Sequence, residues 1–374
     1  MHIEAAAAAD KSQLPDFERD VHCLLGLPID AIDLAGAQKR IRAAAATRLP
    51  CFMSTPNVNF LIESRSDRAF RDAVLHSDLS VADGMPLVWL ARLTGIPLRE
   101  RVAGSNLFEA LSGGSDERRL AVYFFGGSDG VAEAAARRLG REAKGLVCVG
   151  HESPGFGSVE EMSSEETIRR INASNADLLV VSLGARKGQA WIERNRARLN
   201  VPVVSHLGAV VDFTAGRIRR APHWMQRAGL EWLWRIKEQP SLWRRYSSDG
   251  LALAILLLTC VLPYVWYMRS RSHPAEASVE ASDRKHVYVI VLRGAWTRAN
   301  IAVLRRSFSQ AARSGKHVRL EMTAVSHVDS AFVGLVMLLL AYQQQHRRRL
   351  VIVAVPGPVR RVLDYCCAEF LCHV

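Results

Sequence analysis

The sequence predicts an α/β protein: a mostly parallel sheet covered by helices, an apolar helix, and a second, smaller α/β domain. Three observations carry this. Between Val21 and about Gly216, short apolar runs alternate with amphipathic stretches of helical period. From Leu251 to Met268, "LALAILLLTCVLPYVWYM", 18 residues pass without a charge. Beyond a polar stretch, strand–helix alternation begins again and runs to the end.

The elements follow in order. "MHIEAAAAADKSQLPDFERD" is acidic and Ala-rich, with neither a basic start nor a long apolar core. No signal peptide is expected, and residues 1–20 read as flexible. "CFMST" (51–55), "LSVA" (79–82), "AVYFFGG" (121–127), "LVCVG" (146–150), "DLLVVSLG" (177–184) and "VPVVSHLG" (201–208) read as strands. Helical patterns such as Asp67–His76, Pro86–Thr94, Gly130–Lys144, Glu165–Ser174 and Gln189–Asn200 separate them. This alternation argues for a Rossmann-like sheet with helices on both faces. Ligands of such sheets bind beyond the carboxyl ends of the strands, where Thr55, Asp83, Gly126, Gly127 and Gly184 stand.

From Arg217 to Tyr246 the composition turns to Arg and Trp, the membrane-proximal end of a domain spanning 21–246. Residues 250–268 form a membrane-inserted helix, since roughly 17–25 residues suffice to cross the hydrocarbon core. A buried core helix is the alternative. Tyr264, Trp266 and Tyr267 suit an interface. Arginines flank both ends, so charge does not orient the helix. A re-entrant or in-plane helix bent at Pro263, with both domains cytoplasmic, is expected. Residues 269–285 read as a linker, and 286–374 as the small domain: strand, helix 298–314, strand, helix 330–346, strand, helix 358–370. No repeat relates it to the first.

Composition narrows the chemistry. With 49% hydrophobic residues the chain can bury a core. Lys and Arg total 49 against 37 Asp and Glu, a formal charge of +12 that favours anionic partners: nucleic acid, phosphorylated small molecules or an anionic membrane. Nucleic acid fits less well, because the interleaved tryptophans run straight into the apolar 18-mer. Seven cysteines without CxxC or zinc spacing read as reduced thiols of a cytoplasmic compartment. "GFGSVE" (155–160) lacks the third glycine of a dinucleotide fingerprint. No Asp-x-Asp occurs, so a common way to hold a divalent ion against a sugar nucleotide is missing. Phosphate chemistry would then fall to arginines, backbone N–H groups and helix N-termini.

Four stretches can carry that chemistry. In "VADGMP", Asp83 is a helix cap, a turn residue or a general base; the local pattern does not choose. In "AVYFFGGSDGVAEAAARRL", Gly126 and Gly127 allow close approach to a phosphate or ribose and Ser128 could cap a helix, though an ordinary tight turn reads the same. "STPNVNFL" places Thr55 and Asn57 to meet sugar hydroxyls or simply to cap. "RERVAGSNLFEAL" sets Arg101 before a glycine and a helix, suited to a diphosphate or idle in solvent.

Taken together and in order, residues from about Leu27 to Tyr246 resemble the WecG/TagA/CpsF glycosyltransferases. The resemblance runs through "T-x-N" at 55–57, "ADG" at 82–84, "ERVAG" at 100–104, the paired glycines, "HLGAVVDFTAG" (206–216) and "RRAPHWMQRAGLEWLWRIKEQP" (219–240). It implies a metal-free, inverting enzyme without cofactor at the cytoplasmic face of the inner membrane. Such an enzyme moves N-acetylmannosamine or another hexose from UDP to a polyprenyl-diphosphate-linked sugar, for a bacterial surface polysaccharide. It further implies Asp83 as general base, Thr55 and Asn57 orienting sugar, and Arg101 offsetting charge on the departing UDP. Gly84, Gly104, Gly126, Gly127, Ser128, Gly184, Gln189 and Gly208 would border the substrates, and Arg220 and Arg235 would close over the diphosphates. Two departures stand out. The family's "G-x-P-K-Q-E-x-W" is "GARKGQAW" here, with Gly188 for Gln and Gln189 for Glu; its "G-x-D-L" is "GSNL". Both point to a different donor sugar. The rival reading is a sugar-nucleotide-binding scaffold whose altered 184–191 loop has lost catalysis.

The last domain resembles STAS domains through "VSHVDSAFVGLVMLL" (325–339). Ala331 stands where regulatory members carry a phosphorylatable serine and Phe332 where glycine is usual, with Ser330 adjacent. The resemblance implies docking of a protein partner without phosphorylation; a domain that only stabilises the chain is the alternative.

Overall fold

The computed structural model describes residues 14–114, 118–270 and 276–373. The chain divides into two compact units, a larger one from Leu24 to Arg269 and a smaller one joining the segment up to Cys23 to the residues from Ser270 onward.

Past β1 (Val21–Leu24), at the boundary, the larger unit begins with β2 (Leu27–Asp30). Its sheet holds β3 (Cys51–Ser54), β4 (Leu79–Ser80), β5 (Leu120–Gly126), β6 (Leu146–Glu152), β7 (Leu178–Ser182) and β8 (Val203–His206), in the order β4-β3-β8-β7-β5-β6. Every pairing is parallel. All six were legible as apolar runs; the inner strands β3, β8, β7 and β5 are buried on both faces and so cannot alternate with polar residues, while the edge strand β6 is partly exposed.

One face packs Met53, Val122, Phe124, Val180 and Val203 against helices carrying Ile41, Phe108 and Leu139. The other packs Phe125, Leu179, Val181 and Val204 against Trp191, Ile168 and Ile171, with Phe125 and Trp191 ring centroids 4.5 Å apart. Truncating side chains of this kind to Ala costs about 3–5 kcal/mol each. Helix starts are capped as their sequences suggest: Asp33 accepts from Gly36 N at 2.8 Å, Asp67 from Phe70 N at 3.0 Å and Ser164 from Thr167 N at 3.1 Å. Register brings Gly126 opposite Ser182, Val181 opposite His206, and Met53 opposite Ser205. The carboxyl ends of β3, β5, β7 and β8 therefore form one edge.

The apolar stretch lies in a helical run from Pro240 to Arg269, long and apolar enough to cross a membrane by length and composition. It is not broken at Pro263. A π-helical stretch, Leu257–Val261, precedes the proline, and Leu262–Arg269 continues as α-helix. A wide turn there relieves the clash and the missing N–H that proline imposes on the turn before it. Leu251, Ile255, Leu258, Leu262 and Trp266 form an exposed stripe, while Leu256, Val261, Tyr264 and Tyr267 are buried.

The smaller unit holds a sheet ordered β12-β11-β10-β9: β9 (Ser278–Asp283), β10 (Val287–Trp296), β11 (His317–Val328) and β12 (Leu350–Val353). β10, β11 and β12 run parallel, and β9 is an antiparallel edge strand. The linker reading of 269–285 thus needs correcting at 278–283. Ser, Glu and Asp keep this strand polar because it is an exposed edge.

The flexible reading of residues 1–20 also changes where the structure describes them. Residues 1–13 lie outside the described residues, but Phe17 is only 2% exposed, edge-on to Phe308 with centroids 6.0 Å apart. Arg298 Nη2 donates to Asp20 at 2.8 Å, and Arg305 Nη2 to the Arg19 carbonyl at 3.1 Å. A Cβ at Gly334 would lie 2.7 Å from the Val21 carbonyl oxygen, so the helix Ser330–Gln345 needs glycine where this segment crosses it. No disulfide joins cysteines among the described residues.

Candidate active site

The helix that follows Asp83, Met85–Leu93, is not capped by it. Its N-cap is Gly84, without a side-chain bond and at φ 144°, a conformation that glycine adopts without strain. The backbone around Asp83 is pinned instead: Val81 N donates to Ser54 O at 3.0 Å, Asp83 N to Pro56 O at 2.7 Å, and Val102 N to Ala82 O at 3.0 Å. Three chain segments meet here, namely the exit of β3, the exit of β4 and the 100–104 loop.

The half-buried Asp83 carboxylate lies near the Gly104 N–H, which draws its pKa down. Burial pushes its pKa up to about 6, opposed by the positive charges of Arg101 and Arg235 and aided by Glu231. Gly104 opens the helix Gly104–Gly113, and a Cβ there would sit 2.5 Å from Leu207 Cδ2 and 3.6 Å from the Thr55 methyl. Thr55 is buried beside this turn, and its hydroxyl has no hydrogen bond among the described residues. Asp83, Thr55, Gly104, Arg101 and Arg235 therefore belong to one cluster.

Other sequence-predicted residues have structural duties. Asn57 Oδ1 accepts from Phe60 N at 3.2 Å and caps the helix Val58–Ser66. Gly126 is required by its neighbour, for a Cβ there would lie 2.5 Å from the Ser182 carbonyl oxygen; Gly127 N donates to that same oxygen at 2.8 Å. Ser128 is not the cap of Val131–Glu142; Gly130 is, and the Ser128 carbonyl accepts from Val131 N at 3.1 Å. Gly184, at φ 78°, opens the helix Ala185–Asn195 with nothing near its missing side chain. Gln189 is fully buried, with its amide on Ser54 Oγ at 3.2 Å. Gly208 faces the His206 ring. Arg220 is held by Glu109, Asn106 and Gln226, and both Arg220 and Arg235 lie over the Phe213 ring.

Several residues escaped sequence reasoning. Glu231 pairs with Arg101 at 2.5 Å across 130 positions, and no local pattern announces it. Burial raises the pKa of Asp212, opposed by Arg217 and by Arg235, the arginine that also acts on Asp83. His206 stands in the strand pattern and in "HLGAVVDFTAG", with no sign in either of a role for its ring. Trp89, exposed on the helix after Asp83, packs beside Gly229, so the Arg/Trp-rich segment folds back over that helix. Asp249, on the helix that carries the apolar stretch, lies near Asn59 of the helix Val58–Ser66, against which that helix packs.

The model of the glycosyl transferase WecG/TagA/CpsF family matches residues 22–264, and that of the Mlab, STAS domain matches 279–366. An N-acetylglucosaminyldiphosphoundecaprenol N-acetyl-beta-D-mannosaminyltransferase of Bacillus spizizenii is 29% identical over 197 residues, covering 53% of this chain and 75% of the relative. The protein of the same description from Bacillus subtilis is 27% identical over 210 residues, covering 56% and 80%.

Proposed function

The chain belongs to the WecG/TagA/CpsF glycosyltransferase family, and from that premise we propose that it transfers a sugar from UDP to a polyprenyl-diphosphate-linked acceptor sugar, inverting the anomeric carbon without a metal ion. The observation that carries this is the Asp83 carboxylate. It is left uncapped at a strand's carboxyl end, and burial tunes it to about 6. A base with that pKa is ionised at neutral pH and basic enough to accept a hydroxyl proton as it is lost.

In the reaction, the acceptor oxygen forms a bond to the anomeric carbon as its proton passes to Asp83. The bond from that carbon to the UDP oxygen breaks, and UDP leaves with the electron pair. The nearby Gly104 N–H favours the ionised carboxylate. Thr55, with an unspent hydroxyl, is placed to orient a sugar. Arg235 and Arg101 supply positive charge for the departing diphosphate, Arg101 on exchanging its bond with Glu231. The acceptor in the relatives' names, a diphosphoundecaprenol sugar, is lipid-borne. The exposed stripe of Leu251, Ile255, Leu258, Leu262 and Trp266 suits the bilayer that holds such a substrate. We place the enzyme at the cytoplasmic face of the membrane, with the STAS domain offering a surface to a protein partner.

The test is turnover. Detergent-solubilised full chain, given a panel of UDP-sugars and a short-chain polyprenyl-diphosphate-N-acetylglucosamine, is expected to release UDP with at least one donor. No release from any donor would reject the reading.

A further inference from the structure

His206 ends β8 at the same sheet edge, and its ring is only 7% exposed. Neither ring nitrogen has a hydrogen-bond partner among the described residues. Its surroundings on that side of the sheet are spent or apolar. Val204 and Val181 are apolar, and Ser54, Ser77 and Gln189 satisfy one another, with Ser54 Oγ 2.6 Å from Ser77 Oγ. A buried polar ring with two idle nitrogens weakens a fold, and a phenylalanine would avoid that cost.

Two glycines make room for it. A Cβ at Gly188 would lie 2.2 Å from His206 Cδ2, and one at Gly208 3.1 Å from Nε2. Gly188 is the position where this chain lacks the glutamine of the family's loop. That departure and the idle imidazole are one arrangement: without a side chain at 188, the ring from β8 takes up the space. Burial pushes the ring's pKa down to about 4, so near neutral pH it carries no charge and offers one donor and one acceptor. A neutral ring suits an uncharged hydroxyl or acetamido group. It suits a diphosphate poorly, and arginines stand elsewhere in the site for that.

We propose that His206 is a specificity-determining residue, hydrogen-bonding a hydroxyl or acetamido group of the donor sugar in place of the side chain missing at Gly188. This rests on the transferase reading above.

The test separates the two. Titration calorimetry on the full chain in detergent would compare UDP, UDP-N-acetylmannosamine, UDP-N-acetylglucosamine and UDP-glucose, before and after His206→Phe and His206→Asn. His206→Phe is expected to leave UDP affinity within about two-fold, to weaken the preferred UDP-sugar about 10- to 100-fold, and to flatten discrimination within the panel. Its melting temperature should hold or rise, because idle buried nitrogens are removed. His206→Asn, which keeps a donor and an acceptor, should retain part of the discrimination; it also serves if the Phe variant does not fold. Unchanged panel discrimination would overturn the proposal, as would equal weakening of UDP and UDP-sugars. If wild-type protein binds UDP but distinguishes no sugar, His206 falls and the nucleotide reading stands. If it binds none of the four, the transferase reading falls and this inference with it.

Discussion

Each unit contains an aspartate at the end of a strand, followed at once by a helix, and the two are used in opposite ways. Asp329 follows β11 and spends itself as a cap: Oδ1 accepts from Ala331 N and Phe332 N, both at 3.0 Å, and Oδ2 from Arg298 N at 2.8 Å. Asp83 follows β4 and does not cap the helix after it: Gly84 is that N-cap, and the carboxylate lies instead near the N–H of Gly104, the first residue of the helix Gly104–Gly113. Burial raises the pKa of both groups. The difference lies in hydrogen-bond occupancy. A carboxylate saturated by backbone N–H groups is part of the fold, whereas one near a single N–H and faced by arginines is available for a proton.

The contrast breaks most readily at Asp83. Asp83→Asn is expected to lower transfer about 10²- to 10⁴-fold, the contribution of a positioned general base, with the fold intact. UDP release under saturating donor measures it; activity within a few-fold of wild type would remove Asp83 from the chemistry. The same substitution should raise stability at pH 8. A folded pKa of about 6 against 3.8 means that ionising Asp83 costs folding energy, a cost absent below 3.8 and complete above about 6. Relieving it yields up to about 3 kcal/mol, read as a rise in melting temperature that vanishes toward pH 4. Activity has the opposite sign over the same window: kcat/KM should climb through a pKa near 6 as the base ionises.

At Asp329 the expectation reverses. Asp329→Ala removes acceptors from three backbone N–H groups and should cost about 1–2 kcal/mol, the usual loss for a cap. It should be visible as earlier unfolding of the smaller unit, with transfer per folded molecule unchanged. Asp329→Asn keeps one oxygen and should cost less. A loss of transfer without a loss of stability would erase the distinction between the two aspartates.

The sequence pattern by itself could not draw that distinction. "VADGMP" and "SHVDSAF" both read as a strand, an aspartate and a helix start; what separates them is where the acceptor's partners come from. The inner sheet strands were legible because burial on both faces leaves a continuous apolar run. β9 was not, because an exposed edge can be written in Ser, Glu and Asp and looks like a linker. Phe17 gave no signal either: one aromatic residue in a polar segment has no period, and its partner Phe308 lies some 290 positions away by sequence number. Glu231 and His206 were missed for the same reason. Their significance comes from Arg101 and Gly188, which only the fold brings near.

The smallest expected effect tests whether the smaller unit has chemistry of its own beside its cap. Ser330, next to the position that carries phosphate in regulatory STAS domains, is buried, and its Oγ lies 3.1 Å from His22 Nδ1. His22 Nε2 lies 3.2 Å from Asp20. This resembles a serine–histidine–aspartate relay, but with His22 only 2% exposed the array is closed over by the segment that supplies it. Its role is to fasten residues 14–23 to the helix Ser330–Gln345. Ser330→Ala should therefore cost about 1 kcal/mol, the net worth of one buried hydrogen bond, and leave transfer unchanged. Chemical denaturation of wild type and variant, followed by the fluorescence of Trp296 in the smaller unit's core, would measure it. A variant of equal stability with altered transfer would mean that this end of the molecule communicates with the other, and the division into a reactive and a structural aspartate would then be too simple.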